Sequence, residues 1–99
     1  MEIKKIGTAG TMESSDIMVT VMKNKEAGTS IQLTSSVEKQ YGRKIQEVIR
    51  RTLEELGVED ALVTAVDKGA LDCTIRARVK TAAHRACGDE NYKWEAKAN

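Results

Sequence analysis

Apolar positions along the chain fall into short blocks whose spacing changes from two to three-and-four and back. From Asp16 the run Asp-Ile-Met-Val-Thr-Val-Met-Lys is dense in β-branched and apolar residues, and it stops at Asn24-Lys25-Glu26-Ala27-Gly28. That predicts a strand closed by a polar turn. The next block, Ser30-Ile31-Gln32-Leu33-Thr34-Ser35, alternates with Ile31 and Leu33 on one face. It predicts a second strand that pairs back on the first as a hairpin. Upstream, the small residues between Ile6 and Met12 predict a weaker strand, which would set Glu13-Ser14-Ser15-Asp16 at the tip of a tight turn.

Between Ser36 and Leu56 the period lengthens. Val37, Tyr41, Ile45, Val48, Ile49, Thr52, Leu53 and Leu56 recur three and four apart, one apolar stripe of a helix. Ser35 with Glu38 fits a capping box at its start, and Gly57 supplies a left-handed stop. The remaining face, with Arg43, Lys44, Glu47, Arg50, Arg51, Glu54 and Glu55, mixes both signs and reads as solvated. Ala61-Leu62-Val63-Thr64-Ala65-Val66 then has the length and continuity of a strand inside a sheet, ended by Asp67-Lys68-Gly69. Two patterns overlap after it: Leu71, Cys73, Ile75, Ala77 and Val79 alternate, whereas Leu71, Ile75, Val79, Ala82 and Ala86 follow a helix. The helical pattern runs on through the alanines, so a helix is expected over this stretch.

These elements predict an α+β fold, a two-layer sandwich. Its three- to four-stranded, mostly antiparallel sheet would carry two helices on one face, in the order β-β-β-α-β-α or, without the first strand, β-β-α-β-α. Residues 1–87 form one domain, and 88–99 a polar C-terminal tail broken only by Tyr92 and Trp94.

Composition narrows the function. A formal net charge of +1 provides no field for holding nucleic acid or an anionic bilayer, and no apolar run is long enough to span a membrane. The N-terminus Met1-Glu2-Ile3-Lys4-Lys5 lacks the apolar core of a signal peptide, so a cytoplasmic protein is expected. Cys73 and Cys87 form no CxxC pair and have a single histidine, His84, in the chain with them. They read as buried or inert thiols, and no metal site is expected. His84, in an Arg-rich stretch, reads as a surface or packing residue rather than a general base. No phosphate-binding glycine loop or zinc-helix motif is present, so no catalytic residue is assigned. What remains is Glu13-Ser14-Ser15-Asp16, a hydroxyl-bearing turn between apolar runs. Such a turn is ordinary loop chemistry, yet an exposed serine on a firm turn is also what a modifying enzyme requires.

The segment Ala9-Gly10-Thr11-Met12-Glu13-Ser14-Ser15-Asp16-Ile17-Met18-Val19 resembles the N-terminal signature of the citrate lyase gamma subunit, an acyl carrier protein family. Two later blocks resemble the same family in the same order: Ser35-Ser36-Val37-Glu38-Lys39-Gln40-Tyr41-Gly42 and Val66-Asp67-Lys68-Gly69-Ala70-Leu71-Asp72-Cys73-Thr74-Ile75-Arg76-Ala77-Arg78. The resemblance implies that Ser14, the serine of a Glu-Ser-x-Asp signature, carries 2'-(5''-phosphoribosyl)-3'-dephospho-CoA through a phosphodiester. Glu13 and Asp16 would support it. It further implies that acetyl and citryl groups ride on the thiol of this arm, and that a transferase (alpha) and a lyase (beta) subunit convert citrate to acetate and oxaloacetate. A prosthetic-group transferase and an acetylating ligase would prepare the arm, and the carrier would catalyse neither step. The malonate decarboxylase carrier is the neighbouring reading. A non-enzymatic interaction module docking through Tyr92 and Trp94, and a small hydrolase using Ser14, are readings from other classes. Trp94 could dock on a larger assembly or pack on its own domain.

Overall fold

The computed structural model describes residues 1–35 and 39–88. Six elements follow in chain order: β1 (Gly7–Ala9), β2 (Ile17–Lys23), β3 (Ser30–Ser35), α1 (Lys39–Leu56), β4 (Ala61–Asp67) and α2 (Asp72–Ala86). The expected α+β plan with the weak first strand included is the one observed. Residues 72–86 are helical, which settles the overlap of patterns there. Tyr92, Trp94, Val37 and the Glu38 half of the expected capping box lie outside the described residues.

The strands form one sheet in the order β1-β2-β4-β3. β2 pairs antiparallel with β1 and with β4, where Ile17 faces Asp67 and Lys23 faces Ala61. β3 does not form the expected hairpin with β2; it runs parallel to β4, from Ser30 beside Leu62 to Ser35 beside Asp67. Burial explains the exchange. β4 places Ala61, Val63, Ala65 and Asp67 in the core, whereas the residues of β3 are at most half-buried. The more apolar strand takes the interior position and the alternating one is left at the edge. The connection after β2 is shaped accordingly: Asn24 N donates to Asp60 O (2.7 Å) and Gly28 N to Asp60 Oδ1 (2.7 Å). The turn, closed on itself by Asn24 Nδ2 donating to Gly28 O (2.9 Å), is thus also fastened to the start of β4.

Ile17, Val19 and Val21 of β2 share a buried face with Val63 and Ala65 of β4, as the register requires. Ile45, Ile49 and Leu53 of α1 and Ile75, Val79, Ala82, Ala83 and Ala86 of α2 complete the core. Each large aliphatic side chain in that set contributes about 1.5–3 kcal/mol through its removal from water. The opposite sheet face, with Met18, Thr20, Met22, Leu62, Thr64 and Val66, is half-buried to exposed. Two residues of the expected stripes fall outside the core: Tyr41 is 56% exposed in the first turns of α1, and Leu71 is 71% exposed at the N-cap of α2. Both sit at the start of a helix.

β1 is held close against α2. A Cβ on Gly7 would collide with Ala82 O and with the backbone of Ala86, so only glycine allows this approach. Lys4 N and Lys5 N both donate to Ala86 O at 2.9 Å, and Arg85 Nη1 donates to Thr8 O at 2.7 Å. Replacement of Gly7 by valine is expected to force β1 off α2 and to lower stability by about 2 kcal/mol or more, read as the shift of the urea unfolding midpoint.

Candidate functional site

The loop between β1 and β2 carries Ser14, and its path is set by two residues in the left-handed region. Gly10 has φ 96°, and a side chain there would run into the carbonyl of Ile17. Ser15 has φ 67°, a conformation that costs a residue with a Cβ about 1–2 kcal/mol. It is maintained by bonds on both sides. Ser15 N donates to Lys68 O (2.8 Å), Asp16 N closes the turn on Glu13 O (3.1 Å), and Lys68 N returns a bond to Asp16 O (2.9 Å). The β2–β4 ladder therefore continues one step past Asp67 and takes hold of the turn itself.

Asp16 is the centre of this arrangement. Its Oδ2 accepts from Thr11 N (3.1 Å), Thr11 Oγ1 (2.6 Å) and Arg78 Nη2 (3.1 Å). Its Oδ1 accepts from Ile17 N (2.7 Å) and Arg78 Nε (3.0 Å). Arg78 thus grips both oxygens with the two-pronged geometry that makes guanidinium–carboxylate pairs strong. The Arg78 and Thr11 hydrogen bonds, with the Ile17 amide, hold the Asp16 carboxyl far below the usual carboxylate range despite the opposing cost of burial. Glu13 N in turn donates to Thr11 Oγ1 at 3.2 Å, so the hydroxyl of Thr11 connects the ascending side of the loop to the carboxylate.

Ser14 stands at the exposed tip, and its hydroxyl makes no hydrogen bond with any described residue. Glu13 is also exposed, and its backbone N–H is turned to Thr11 Oγ1. Of the three residues singled out in the sequence, Asp16 is thus built into the scaffold while Ser14 and Glu13 face outward. Ser35 Oγ donates to Asp67 Oδ2 (3.0 Å), and Ala70 N donates to Asp67 Oδ1 (3.0 Å). That buried carboxylate fixes the 67–70 turn on which Ser15 leans.

Among the described residues no side chain is hydrogen-bonded to the Ser14 hydroxyl. His84 is half-buried on α2, six residues beyond Arg78 and so about 9 Å further along the helix axis. An open groove of about 450 Å³ is lined by Met1, Glu2, Ile3, Lys23, Gly57, Glu59 and Asp60, at the other end of β2. Cys87 is buried as expected, but Cys73 is exposed, because a helix turns position 73 well away from the inward face defined by Ile75 and Val79. Among the described residues no helix is long and apolar enough to cross a membrane. Thr11, Lys68 and Arg78 are the site residues that spacing could not reveal. Arg78 is 62 positions from Asp16 and sits in a basic run with Arg76, Lys80 and Arg85.

Residues 4–86 match the ACP family model described as "Malonate decarboxylase delta subunit (MdcD)", which defines the class: a small carrier subunit. The chain is 58% identical over 95 residues to the citrate lyase acyl carrier protein of Streptococcus mutans serotype c, and 56% identical over 95 residues to that of Streptococcus equi subsp. equi. Each match covers 96% of this chain and 93% of the relative. The chain belongs to the citrate lyase acyl carrier protein family. A chain in the crystal structure of a Pseudomonas malonate decarboxylase hetero-tetramer in complex with malonate shares the fold, with a TM-score of 0.70 at 22% identity over 83% of this chain and 84% of that one.

Two measurements check the bracket around Asp16. Asp16→Asn is expected to lower stability by about 1–2 kcal/mol at neutral pH, a loss limited by the hydration left to a partly exposed Arg78. Because the folded carboxyl titrates below its unfolded value, the wild-type protein keeps this contribution above about pH 3.9 and loses it as the pH falls further. The Asn variant should therefore show a flatter acid limb in a plot of unfolding free energy against pH.

Proposed function

We propose that Ser14 is the covalent attachment point for the 2'-(5''-phosphoribosyl)-3'-dephospho-CoA arm, and that the domain, without catalytic activity of its own, presents the arm to the transferase and lyase subunits of citrate lyase in the cytoplasm. The observation that carries this reading is the exposed Ser14 hydroxyl, without a hydrogen bond to any described residue, on a turn whose backbone is braced at Glu13, Ser15 and Asp16. A hydroxyl so placed can enter a foreign active site while its host stays folded. The residues also fit the group. Nothing in the core is displaced by a substituent on Ser14, and the exposed Lys68, bonded through its backbone to the turn, adds a positive charge beside it suited to a phosphodiester.

When attached, the group supplies a thiol on which an acyl unit can be carried between sites. The chain's own contribution is to hold the anchor still and to raise the local concentration of the arm near its partners. With no base beside Ser14 among the described residues, a hydrolase has no support. The citrate lyase reading is favoured over the malonate decarboxylase one by full-length relatives at 56% and 58% identity, against 22% for the malonate decarboxylase chain.

Ser14→Ala, made in the protein co-expressed with its prosthetic-group transferase, is expected to abolish the adduct seen by intact mass spectrometry. Its unfolding free energy should stay within about 0.5 kcal/mol of wild type, since an exposed turn hydroxyl packs on nothing. An alanine variant that still gains the prosthetic mass would exclude Ser14.

A further inference from the structure

We propose that Arg78 is a positioning residue for the modification of Ser14: by gripping Asp16 it holds residues 11–16 in the conformation that presents the serine, and Asp16 is a bracket rather than a contact for the modifying enzyme. This rests on Ser14 as the attachment point.

Hydrogen-bond counting carries the second half. A carboxylate offers about four lone-pair sites. Asp16 already receives five donor contacts, from Thr11 N, Thr11 Oγ1, Ile17 N, Arg78 Nε and Arg78 Nη2, all within 3.1 Å. Its side chain is only 12% exposed. A partner protein could read this carboxylate only by dismantling the turn it supports. The acidic residue next to Ser14 is therefore an internal strut, and the surface an enzyme meets consists of its neighbours.

The first half follows from where the strut is anchored. Arg78 and Arg85 lie seven residues apart on α2, about two helical turns, so they project from the same side. Arg85 Nη1 holds Thr8 O and the carbonyl of Ala86 holds Lys4 N and Lys5 N. The chain on both sides of Ser14 is thus tied to one helix at successive levels, at Lys4, Lys5 and Thr8 before the serine and through Arg78 at Asp16 after it. Loss of the Arg78 tie leaves β1 and the Lys68 bonds to the turn in place, but the Asp16 carboxylate is then held only by Thr11 and Ile17 and the tip loosens. A reactive group displaced by about 1 Å can lose on the order of 100-fold in rate.

The test uses the full chain and its cognate prosthetic-group transferase, with wild type, Arg78→Met, Arg78→Lys, Asp16→Asn and the Arg78→Met/Asp16→Asn double variant. Modification kinetics are followed by intact mass and amide exchange by NMR. Arg78→Met should lower kcat/KM for modification by about 10- to 100-fold. Faster exchange at Ser15 and Asp16 should accompany the loss, with β2 and α2 protection unchanged. Arg78→Lys, which keeps the charge without the fork, should fall between. The double variant should be no slower than the slower single one, because both remove the same tie. A modification rate at the wild-type level in Arg78→Met, or multiplied losses in the double variant, would overturn the proposal. If Arg78→Met does not fold, Arg78→Lys decides alone, and wild-type kcat/KM in it overturns the proposal equally. Peptide mapping of the wild-type adduct separates the two readings: an adduct away from Ser14 sinks the attachment assignment, whereas normal modification at Ser14 in the Arg78 variants sinks only the role of Arg78.

Discussion

One carboxylate organises the Ser14 end of the molecule. Asp16 joins three parts of the chain that are otherwise independent: the loop through Thr11, the start of β2 through the Ile17 amide, and α2 through Arg78. Remove its charge and each loses its common partner. The depressed affinity of this carboxyl for a proton and the left-handed backbone at Ser15 have the same origin, since both are imposed by surroundings that over-determine the turn. Little of the core is involved. The cost of the arrangement falls on the loop that carries the exposed Ser14.

The sheet makes this possible by where it ends. β2 begins and β4 finishes at the same edge, with Ile17 opposite Asp67, so the β1–β2 loop and the β4–α2 turn emerge side by side. Asp67 stiffens the second and Lys68 passes that stiffness to the first through two backbone bonds. Exchange of β3 for β4 beside β2 is therefore more than a detail of topology. Had β2 and β3 formed a simple hairpin, the residues flanking Ser15 would have come from the alternating edge strand rather than from the buried one. The buried strand gives the turn the firmer support, because its end is paired on both sides, with β2 and with β3.

For a carrier, this rigidity complements rather than opposes the motion of an arm. Acyl carriers work by letting one flexible group visit several sites, and the effective concentration achieved depends on how well its root is fixed. The structure places its fixed points close to the serine and its open surface around it, with the exposed Lys68 on one flank. The catalytic groups an enzyme would require are not gathered there among the described residues.

The sequence by itself determined the elements and their order. Alternation at Ile31 and Leu33, the stripe from Ile45 to Leu53 and the alanine-rich run to Ala86 are local patterns, and local patterns report which face of an element must leave water. The polar turn at Ser14 was legible for the same reason, and its family signature was legible because short motifs survive in the linear order. Tertiary structure alone decided which strand lies beside which, that Tyr41, Leu71 and Cys73 face outward, and that Asp16 is spoken for. Strand partners are chosen by the total area buried across the whole sheet, and a salt bridge between positions 16 and 78 is a contact between segments that only the packing of α2 brings together. The serine could be found by reading along the chain; what holds it could be found only by reading across it.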